Sequence, residues 1–396
     1  MDKLFLLVMT AAFAAAQVNM ASMPNTLTQR EVEEGWILLF DGESLFGWTA
    51  VGEPKWAVEN GALVALSGSQ QMGWIRSGSQ FADYALKVDF KTHEKGNSGV
   101  FLRSATEGPP HVTGYELQIW SENKQYPTGS LVNHVSTSKG KFRGDVWNSY
   151  EVNVTGDHWL VKLNGQSVLD AREGKTRMGH IGLQSNKDRI EFRNIKLKPL
   201  GTQPLFNGRD LSGWHEVKAL KPPAQPPVWS ARDGAIHVEK GPGQLETDAI
   251  YKDFILQMAV RTNPRDANHH PNSGVFFRGD VNGYWTGYES QIRNEYKEGD
   301  RTKPVDYGTG AVYFWSPARK VVADDGKYFV KTLVAHGRHI GVWVNGQAVT
   351  DWEDPHPEGK LVRNKEARLG AGPISLQAHD PTTNLDFKDV RIVALP

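Results

Sequence analysis

Apolar residues recur at every second position in several stretches of this 396-residue chain. The period of two is clearest over residues 84–90, 159–163 and 340–344, and it is typical of half-buried β-strands. Asn-Gly or Asp-Gly pairs indicate tight turns between the apolar runs. These pairs begin at Asp41, Asn60, Asn164, Asp233 and Asn345. Because no long stretch shows a helical period, the pattern predicts an all-β fold, an antiparallel β-sandwich or jelly roll.

The chain also contains one internal duplication, since several short motifs occur twice in the same order. The paired motifs include Leu39-Phe40-Asp41-Gly42 with Leu205-Phe206-Asn207-Gly208, residues 97–103 with residues 272–278, Gly114-Tyr115-Glu116 with Gly287-Tyr288-Glu289, and Asn164-Gly165 with Asn345-Gly346. The repeated unit has the size of an independent domain, roughly 160 to 190 residues. We place the boundary at residues 201–204 and expect two tandem sandwiches, over residues 35–200 and 205–396.

The first residues have the pattern of a targeting segment. Lys3 precedes an apolar run over residues 4–16, which ends in three alanines before Gln17. This ending is typical of a secretory signal peptide, and the run is too short to span a bilayer. We expect a signal peptide over residues 1–16, an N-terminal extension over residues 17–34, and export to the periplasm or the extracellular space. A membrane anchor is the alternative, but no second apolar stretch follows, so we expect no membrane span.

Charge and composition narrow the choice of partner. The 45 basic and 45 acidic side chains give a formal net charge of zero, so neither nucleic acid nor an anionic membrane surface is an expected partner. The absence of cysteine excludes a thiolate nucleophile and Cys-ligated zinc. The 40 glycines and 13 tryptophans are compatible with turn-rich β domains whose aromatic surfaces bind saccharides.

One strand motif places an acidic and an amide side chain on a single face. Alternation sends Glu116 and Gln118 to one face of their strand and the apolar residues beside them to the other. The second unit repeats the arrangement with Glu289 and Gln291. A solvated outer face is the alternative interpretation. The glutamate and glutamine are unchanged between the units although the residue between them differs, which favours a ligand-binding face.

An arginine and a glycine accompany this motif in both units. By alternation, Arg103 lies on the face of Gly99, and Arg278 lies on the face of Gly274. The glycine leaves room for a ligand or a close backbone approach. Each arginine either pairs with the neighbouring glutamate or polarises a bound oxygen atom.

A later motif differs between the units. Gln184 and Asn186 share one face in the first unit, and Gln377 and His379 share the corresponding face in the second. Histidine can relay a proton or bind a metal, whereas asparagine can only form hydrogen bonds. This asymmetry favours the second unit for chemistry.

The second unit also contains candidates for metal and sugar binding. His269 and His270 could join His379 and Glu289 around a divalent metal, although solvated loop histidines are the alternative. Trp285 is a candidate to stack on a sugar ring, with core or rim packing as the alternative.

Taken together, these motifs resemble the 3-keto-disaccharide hydrolase domain family. The resemblance occurs once in each unit, and the two units together cover nearly the whole chain after the N-terminal segment. The resemblance implies a concanavalin-like or laminin-G-like β-sandwich, an exported bacterial protein and a glycoside substrate already oxidised at C3 of its sugar. Members of the family often have an aspartate three residues after the glutamine, where this chain has Ser121 and Asn294. They also end the late motif with a histidine, which this chain keeps only as His379. The second unit is therefore the predicted catalytic unit, and the first is a degenerate, binding or scaffolding copy.

The implied substrate is compatible with a single carboxylate in each motif. Retaining and inverting glycosidases need two opposed carboxyl groups. A 3-keto group instead acidifies the C2 proton, so that the aglycone leaves from C1 by β-elimination and water then adds. One base and one stabiliser of the enolate oxygen are sufficient for this route.

These considerations lead to a set of residue assignments. We assign Glu289 as the base, Arg278 or a divalent metal as the enolate stabiliser, and Gln291 with His379 to positioning or proton relay. The predicted substrate-binding residues are Gln377, Asn272, Tyr288 and Trp285. The second candidate site consists of Glu116, Gln118, Arg103, Gln184 and Asn186. The alternatives are a lectin-like polysaccharide-binding protein without turnover and a structural protein of the cell surface.

Overall fold

Strands dominate the structure, a computed structural model that describes residues 23–66, 71–219, 221–363 and 365–396. The predicted signal peptide lies outside the described residues, as does the first part of the predicted N-terminal extension. Two short helices are present in the described part, α1 at Gln29–Glu33 and α2 at Pro110–Thr113. No helix in these described ranges has the length and apolar character needed to cross a membrane.

The first sandwich consists of two antiparallel sheets, here called A and B. Sheet A has the strand order β11-β10-β9-β6-β13-β4-β3, with β1 paired to β13, and sheet B has the order β2-β5-β12-β7-β8. The strands are β1 Ile37–Leu38, β2 Trp48–Val51, β3 Trp56–Glu59, β4 Ala62–Ala65, β5 Gly73–Phe81, β6 Tyr84–Lys91, β7 Ser98–Ser104, β8 Tyr115–Ile119, β9 Asn148–Thr155, β10 His158–Leu163, β11 Gln166–Arg172, β12 Gly179–Ser185 and β13 Ile190–Pro199.

The second sandwich repeats this topology in sheets C and D. Sheet C has the order β16-β17-β28-β19-β22-β23-β24, with β14 paired to β28, and sheet D has the order β15-β18-β27-β20-β21. The strands are β14 Gln203–Pro204, β15 Trp214–Val217, β16 Val228–Arg232, β17 Ala235–Glu239, β18 Gly243–Tyr251, β19 Phe254–Thr262, β20 Ser273–Phe277, β21 Tyr288–Ile292, β22 Tyr328–His336, β23 His339–Val344, β24 Gln347–Glu353, β27 Gly372–Ala378 and β28 Asn384–Ala394. Between β24 and β27, the strands β25 Leu361–Val362 and β26 Lys365–Glu366 form a separate two-stranded sheet. The prediction of two tandem antiparallel sandwiches is confirmed.

Each hydrophobic core lies between the two sheets of its sandwich. Tyr115, Leu117 and Ile119 of β8 are fully buried in the first core, as their alternation predicted. Tyr288 and Ile292 of β21 occupy the second core in the same way. The polar residues between them therefore lie on the outer faces of sheets B and D.

The N-terminal segment and the two sandwiches pack against one another. Helix α1 begins with a capping box formed by Thr28 and Glu31, and Glu31 also pairs with Lys196 of β13 at 3.0 Å. From the second sandwich, Trp343 is buried in the first core and donates a hydrogen bond from Nε1 to the Leu38 carbonyl at 2.9 Å. This contact joins sheet C to the first sandwich. The outer face of sheet D lies on the opposite side of the second sandwich from sheet C.

Candidate functional site

On the outer face of sheet D, the Glu289 side chain lies over Gly274 of the neighbouring strand. Glu289 is paired with Phe276 in the neighbouring strand, and Gln291 is paired with Gly274. A Cβ atom added to Gly274 would lie only 2.3 Å from the Glu289 Oε1 atom. The missing side chain at Gly274 therefore provides the space that the Glu289 carboxyl group occupies.

Glu289 has an environment that changes its acidity. The residue is 7% exposed, and burial raises the pKa of its carboxyl group to about 7, an effect that the nearby Asp306 carboxylate increases. The positive charges of Lys365 and Lys331 act in the opposite direction and lower this pKa. A carboxyl group with a pKa near 7 is suited to accept a proton at neutral pH.

Asp306 is a second carboxylate near this strand, and sequence reasoning missed it. Its Oδ2 atom accepts hydrogen bonds from Asn272 Nδ2 and from Gln291 Nε2, both at 3.1 Å. These bonds connect Asn272, Gln291 and Asp306 in one network. Asp306 lies three residues before Thr309, where the first unit has Gln125 before Thr128. That difference between the repeats was the available signal.

Lys365 was also missed. It belongs to the β25–β26 hairpin, which lies in the connection between β24 and β27. The corresponding connection between β11 and β12 in the first sandwich is much shorter. Because no motif in the first unit corresponds to this insertion, comparison of the repeats could not reveal Lys365.

Aromatic rings form a wall at the other side of the face. Trp285 stacks on His379, with ring centroids 5.9 Å apart and planes at 10°. Tyr284 stacks on the Trp285 ring at 5.1 Å and 16°. Gln244 of β18 holds this loop, because its Oε1 atom accepts a hydrogen bond from the Trp285 backbone N–H at 2.7 Å. The rings of Tyr284, Trp285 and His379 are called the aromatic wall below.

His379 lies at the rim, directly after β27. Its side chain is 38% exposed, and its Nδ1 atom is 2.9 Å from the Asp380 carboxylate. Two residues earlier, Gln377 is on the same strand, and the pairing of Leu376 with Val275 places it beside Gly274. The structure therefore places Gln377 and His379 on the same side of sheet D as Glu289.

Several buried oxygen atoms on this side have no hydrogen-bond partner among the described residues, including the hydroxyl of Tyr284 and two amide oxygens. The two amide oxygens are Oε1 of Gln377 and Oδ1 of Asn272. Buried polar atoms are usually paired, and amide oxygens of this kind accept hydrogen bonds from hydroxyl groups. Both atoms are therefore available to the hydroxyl groups of a ligand.

The structure corrects the predictions for Arg278 and Tyr288. Arg278 has a φ of 55°, which breaks the strand alternation, and its guanidinium group pairs with Asp253 at 2.7 Å and donates to the Lys252 and Gly337 carbonyls. It does not share the face of Gly274. Tyr288 is buried in the core and donates its hydroxyl hydrogen bond to Asp354, so it is not placed to bind substrate at the outer face of sheet D.

The first sandwich has a related but different face. Burial raises the pKa of Glu116 to about 7, and Gln184 donates a hydrogen bond from Nε2 to the Glu116 Oε1 atom at 2.9 Å. The Glu116 side chain lies over Gly99 as its counterpart does over Gly274. Gln118 lies on the same strand, and its Oε1 atom accepts a hydrogen bond from the backbone N–H of the next residue, Ile119.

Other features separate this face from that of sheet D. The Trp74 ring covers Gly182 and contacts the Phe101 ring edge-on at 5.6 Å, whereas β18 has Gln244 at the position of Trp74. Asn186, at the place of His379, is half-buried after the end of β12. Arg103 repeats the arrangement of Arg278, since its φ is 52° and its guanidinium group pairs with Asp83 at 2.8 Å. Its predicted place beside Gly99 is therefore also corrected.

The predicted histidine cluster does not form. His270 pairs with Asp325 at 2.6 Å, and His269 contacts the Thr382 hydroxyl at 2.9 Å. Across the described ranges, no group of three or more His, Asp or Glu side chains is arranged to hold a metal ion. A divalent metal at Glu289 stays a prediction of the sequence.

Known proteins resemble this chain in sequence and in structure. A 3-keto-disaccharide hydrolase from Bacteroides thetaiotaomicron is 22% identical over 231 residues, which cover 42% of this chain and 79% of that protein. A crystal structure of a candidate glycosyl hydrolase from Parabacteroides distasonis ATCC 8503 has 25% identity and a TM-score of 0.40, and the match covers 45% of this chain and 99% of the other. A second candidate glycosyl hydrolase from the same organism has 24% identity and a TM-score of 0.37, and the match covers 42% of this chain and 99% of that protein.

The family assignment depends on a match that occurs twice. The sequence profile of the 3-keto-alpha-glucoside-1,2-lyase-like domain matches residues 35–198 and again residues 201–393. These two ranges include nearly all of the described residues and both outer faces. The chain therefore belongs to the family of 3-keto-alpha-glucoside-1,2-lyase-like domains, of which it contains a tandem pair.

Proposed function

We propose that this protein is a carbohydrate hydrolase that acts on 3-keto-glycosides, with its active site on the outer face of sheet D. The observation that carries the proposal is the Glu289 carboxyl group, which lies over Gly274 and has a pKa of about 7. A base with this pKa is ionised to a large extent at neutral pH and still has a strong affinity for the proton that it removes.

In the proposed reaction, Glu289 removes the proton from C2, which the adjacent 3-keto group has acidified. The electron pair moves onto the keto oxygen as an enolate, and its return forms the C1–C2 double bond while the C1–O bond to the aglycone breaks. The proton on Glu289 passes to the departing aglycone oxygen, directly or through His379. Water then adds its hydroxyl group to C1 and a proton to C2, which gives the free 3-keto sugar.

The enolate needs a positive group, and Arg278 does not supply it. Its guanidinium group is held by Asp253 and three backbone carbonyls, so it has little capacity left for a substrate oxygen. Lys365 is the better candidate, because its charge already acts on the Glu289 carboxyl group. An ammonium group beside the developing oxyanion stabilises the transition state by a charge interaction. A divalent metal is the alternative stabiliser.

The remaining residues are proposed to orient the sugar. The free oxygens of Gln377 and Asn272 accept hydrogen bonds from hydroxyl groups, and the aromatic wall provides a flat apolar surface for a ring. Gln291 acts indirectly, since its amide group is bonded to Asp306 and holds that loop against β21.

The first sandwich is proposed to be a copy without this activity. It has Gln125 where Asp306 stands and Asn186 where His379 stands. In addition, the Trp74 ring fills the part of its face over Gly182. These differences favour a supporting role for the first sandwich in the assembled protein.

The proposal is tested by product release. Purified protein is incubated with a 3-keto-glycoside, with and without added divalent metal, and 3-keto-glucose is measured by chromatography. We expect release by the wild-type protein and a loss of roughly a hundredfold or more in Glu289→Gln, because the amide cannot accept the C2 proton. Comparing Lys365→Met with chelator treatment separates lysine from metal as the stabiliser. Unchanged release by Glu289→Gln would contradict the assignment.

We further propose that the protein is exported. The support is the basic residue Lys3 followed by the apolar run and the three alanines before Gln17. N-terminal sequencing of the protein recovered outside the cytoplasm should begin at or soon after Gln17. A sequence that begins at Met1 would contradict export with cleavage.

A further inference from the structure

A lysine is buried directly beneath the strand that carries Glu289. Lys331 of β22 is 2% exposed and lies on the core side of sheet C, across from β21. Its Nζ atom donates hydrogen bonds to the Ser290 carbonyl at 2.7 Å and to the Gln291 carbonyl at 3.0 Å. The amine therefore holds the backbone of β21 from inside the sandwich.

The first sandwich makes the same contact with a neutral group. Tyr150 and Lys331 each lie six residues before a matched glycine, Gly156 in the first unit and Gly337 in the second. The Tyr150 hydroxyl donates a hydrogen bond to the Gln118 carbonyl at 2.6 Å, and Gln118 is the counterpart of Gln291. The contact needs only a hydrogen-bond donor, so lysine in this place adds a group that can carry a positive charge, in the second sandwich alone.

This ionisable group is costly to bury. Removing an ammonium group from water is unfavourable unless it is compensated, and tyrosine shows that the fold offers a cheaper solution. Burial lowers the pKa of Lys331 to about 7, and the Glu289 carboxylate acts in the opposite direction and raises it. The positive charge of Lys331 is thus coupled to the candidate base through the thickness of one strand.

Other charged groups also face Glu289, from different elements. Lys365 of the β25–β26 hairpin lowers its pKa, and Asp306 of the loop after β21 raises it. Tyr313 of the same loop is close enough for the Glu289 charge to act on its hydroxyl. Lys331 differs from these groups because it lies in the core, where solvent screening is weakest.

We propose that Lys331 is a positioning residue for Glu289, which anchors the backbone of β21 and supplies from the core side a positive charge that favours the ionised, proton-accepting carboxylate. The inference rests on the proposed role of Glu289 as the base. It adds a residue that touches no substrate and that distinguishes the second sandwich from the first.

The test replaces the lysine by the residue of the first sandwich. Lys331→Tyr keeps a hydrogen-bond donor and removes the charge, and Lys327→Tyr, at an exposed lysine shortly before it, removes one charge from the surface as a control. The titration of Glu289 is followed by the carboxyl 13C signal that disappears in Glu289→Gln. We expect the Glu289 titration to move up by on the order of one pH unit in Lys331→Tyr and to stay unchanged in Lys327→Tyr.

The acid side of the pH profile of kcat/KM should move by the same amount, with KM nearly constant. An unchanged Glu289 titration in folded Lys331→Tyr would overturn the proposal. If the tyrosine variant does not fold, Lys331→Gln provides the same neutral comparison with a smaller donor. Failure of the proposed function is distinguishable, because in that case Glu289→Gln leaves product release unchanged while the carboxyl titration still reports on Lys331.

Discussion

At the scale of single residues, the site depends on a carboxyl group placed where an ordinary side chain would not fit. Glu289 and Gly274 form a pair in which the glycine creates the space and the glutamate fills it. The same pair occurs in the first sandwich as Glu116 and Gly99. The pair is thus common to both domains, and the charged groups around Glu289 distinguish the second.

The glycine can be tested by adding one methyl group. In Gly274→Ala, the new Cβ would lie 2.3 Å from Glu289 Oε1 and 2.7 Å from Glu289 Cγ, so the whole Glu289 side chain must move, while no backbone atom is among the closest contacts. We expect a loss of roughly a hundredfold in kcat/KM, because small displacements of a catalytic group have large effects, and little change in the melting temperature. Gly99→Ala is the matched control in the first sandwich and should leave activity unchanged.

The raised pKa of Glu289 also predicts how stability depends on pH. The folded-state pKa of about 7 is above the ordinary glutamate value of 4.5, so the folded state binds the proton more tightly. The contribution of the protonated Glu289 carboxyl group to the free energy of unfolding is fully present below the unfolded-state pKa, and it is lost as the pH rises through 7. Glu289→Gln should therefore be more stable than the wild-type protein at pH 8, by up to about 3 kcal/mol, and similar to it at pH 4.

Urea unfolding of both proteins at the two pH values measures this difference. The prediction would be contradicted by a Glu289→Gln variant that is no more stable than wild type at pH 8. Such a result would mean that the carboxyl group ionises at its ordinary pKa. The same titration should limit kcat/KM on the acid side, with a midpoint near pH 7.

At the scale of elements, strands supply the floor of the site and loops supply its edges. Strand β18 holds the loop that carries Tyr284 and Trp285 of the aromatic wall. Gln244 accepts a hydrogen bond from the Trp285 N–H and donates one to the Gly283 carbonyl. Glu246 of the same strand accepts a hydrogen bond from the Asn282 N–H at 2.8 Å. The positions of Tyr284 and Trp285 in the wall thus depend on the polar residues of β18.

Release of this loop should weaken substrate binding more than chemistry. Gln244→Ala removes both bonds to the loop, so we expect KM to rise roughly tenfold and kcat to change less than threefold. Val281→Ala, at an exposed position of the same loop, is the control and should behave as wild type. A fall in kcat at constant KM in Gln244→Ala would instead connect the loop to the chemical step.

The difference between strands and loops explains how much could be predicted from the sequence. Period-two alternation and the repeated motifs were sufficient for the two sandwiches and for the faces of Glu116 and Glu289. Alternation failed at Arg103 and Arg278, because a positive φ turns each side chain away from its expected face. Asp306 could not be placed, because it comes from a loop whose path depends on tertiary contacts.

A similar limit applies to contacts between sheets. Lys331 belongs to sheet C and acts on a strand of sheet D. A pattern read along one strand predicts which face a residue occupies, but it does not identify the strand that packs opposite. The repeats align Tyr150 with Lys331 in the sequence, but only the structure shows that both side chains bond to the strand that carries the glutamate.

At the scale of the whole molecule, two copies of one fold have diverged around a shared framework. The N-terminal segment and Trp343 join the sandwiches through contacts such as the hydrogen bond to the Leu38 carbonyl. An ion pair between Arg319 and Asp41, at 2.9 Å, adds to this interface. The first sandwich is therefore suited to support the second, and the groups proposed for catalysis are concentrated in the second.

The central claim is that catalysis belongs to the second sandwich and uses Glu289. The most direct measurement compares the release of 3-keto-glucose from a 3-keto-glycoside by Glu289→Gln and by its matched counterpart Glu116→Gln, both confirmed as folded. We predict a loss of roughly a hundredfold or more in Glu289→Gln and activity within twofold of wild type in Glu116→Gln. Full activity of Glu289→Gln, or an equal loss of activity in Glu116→Gln, would contradict the assignment of catalysis to the second sandwich.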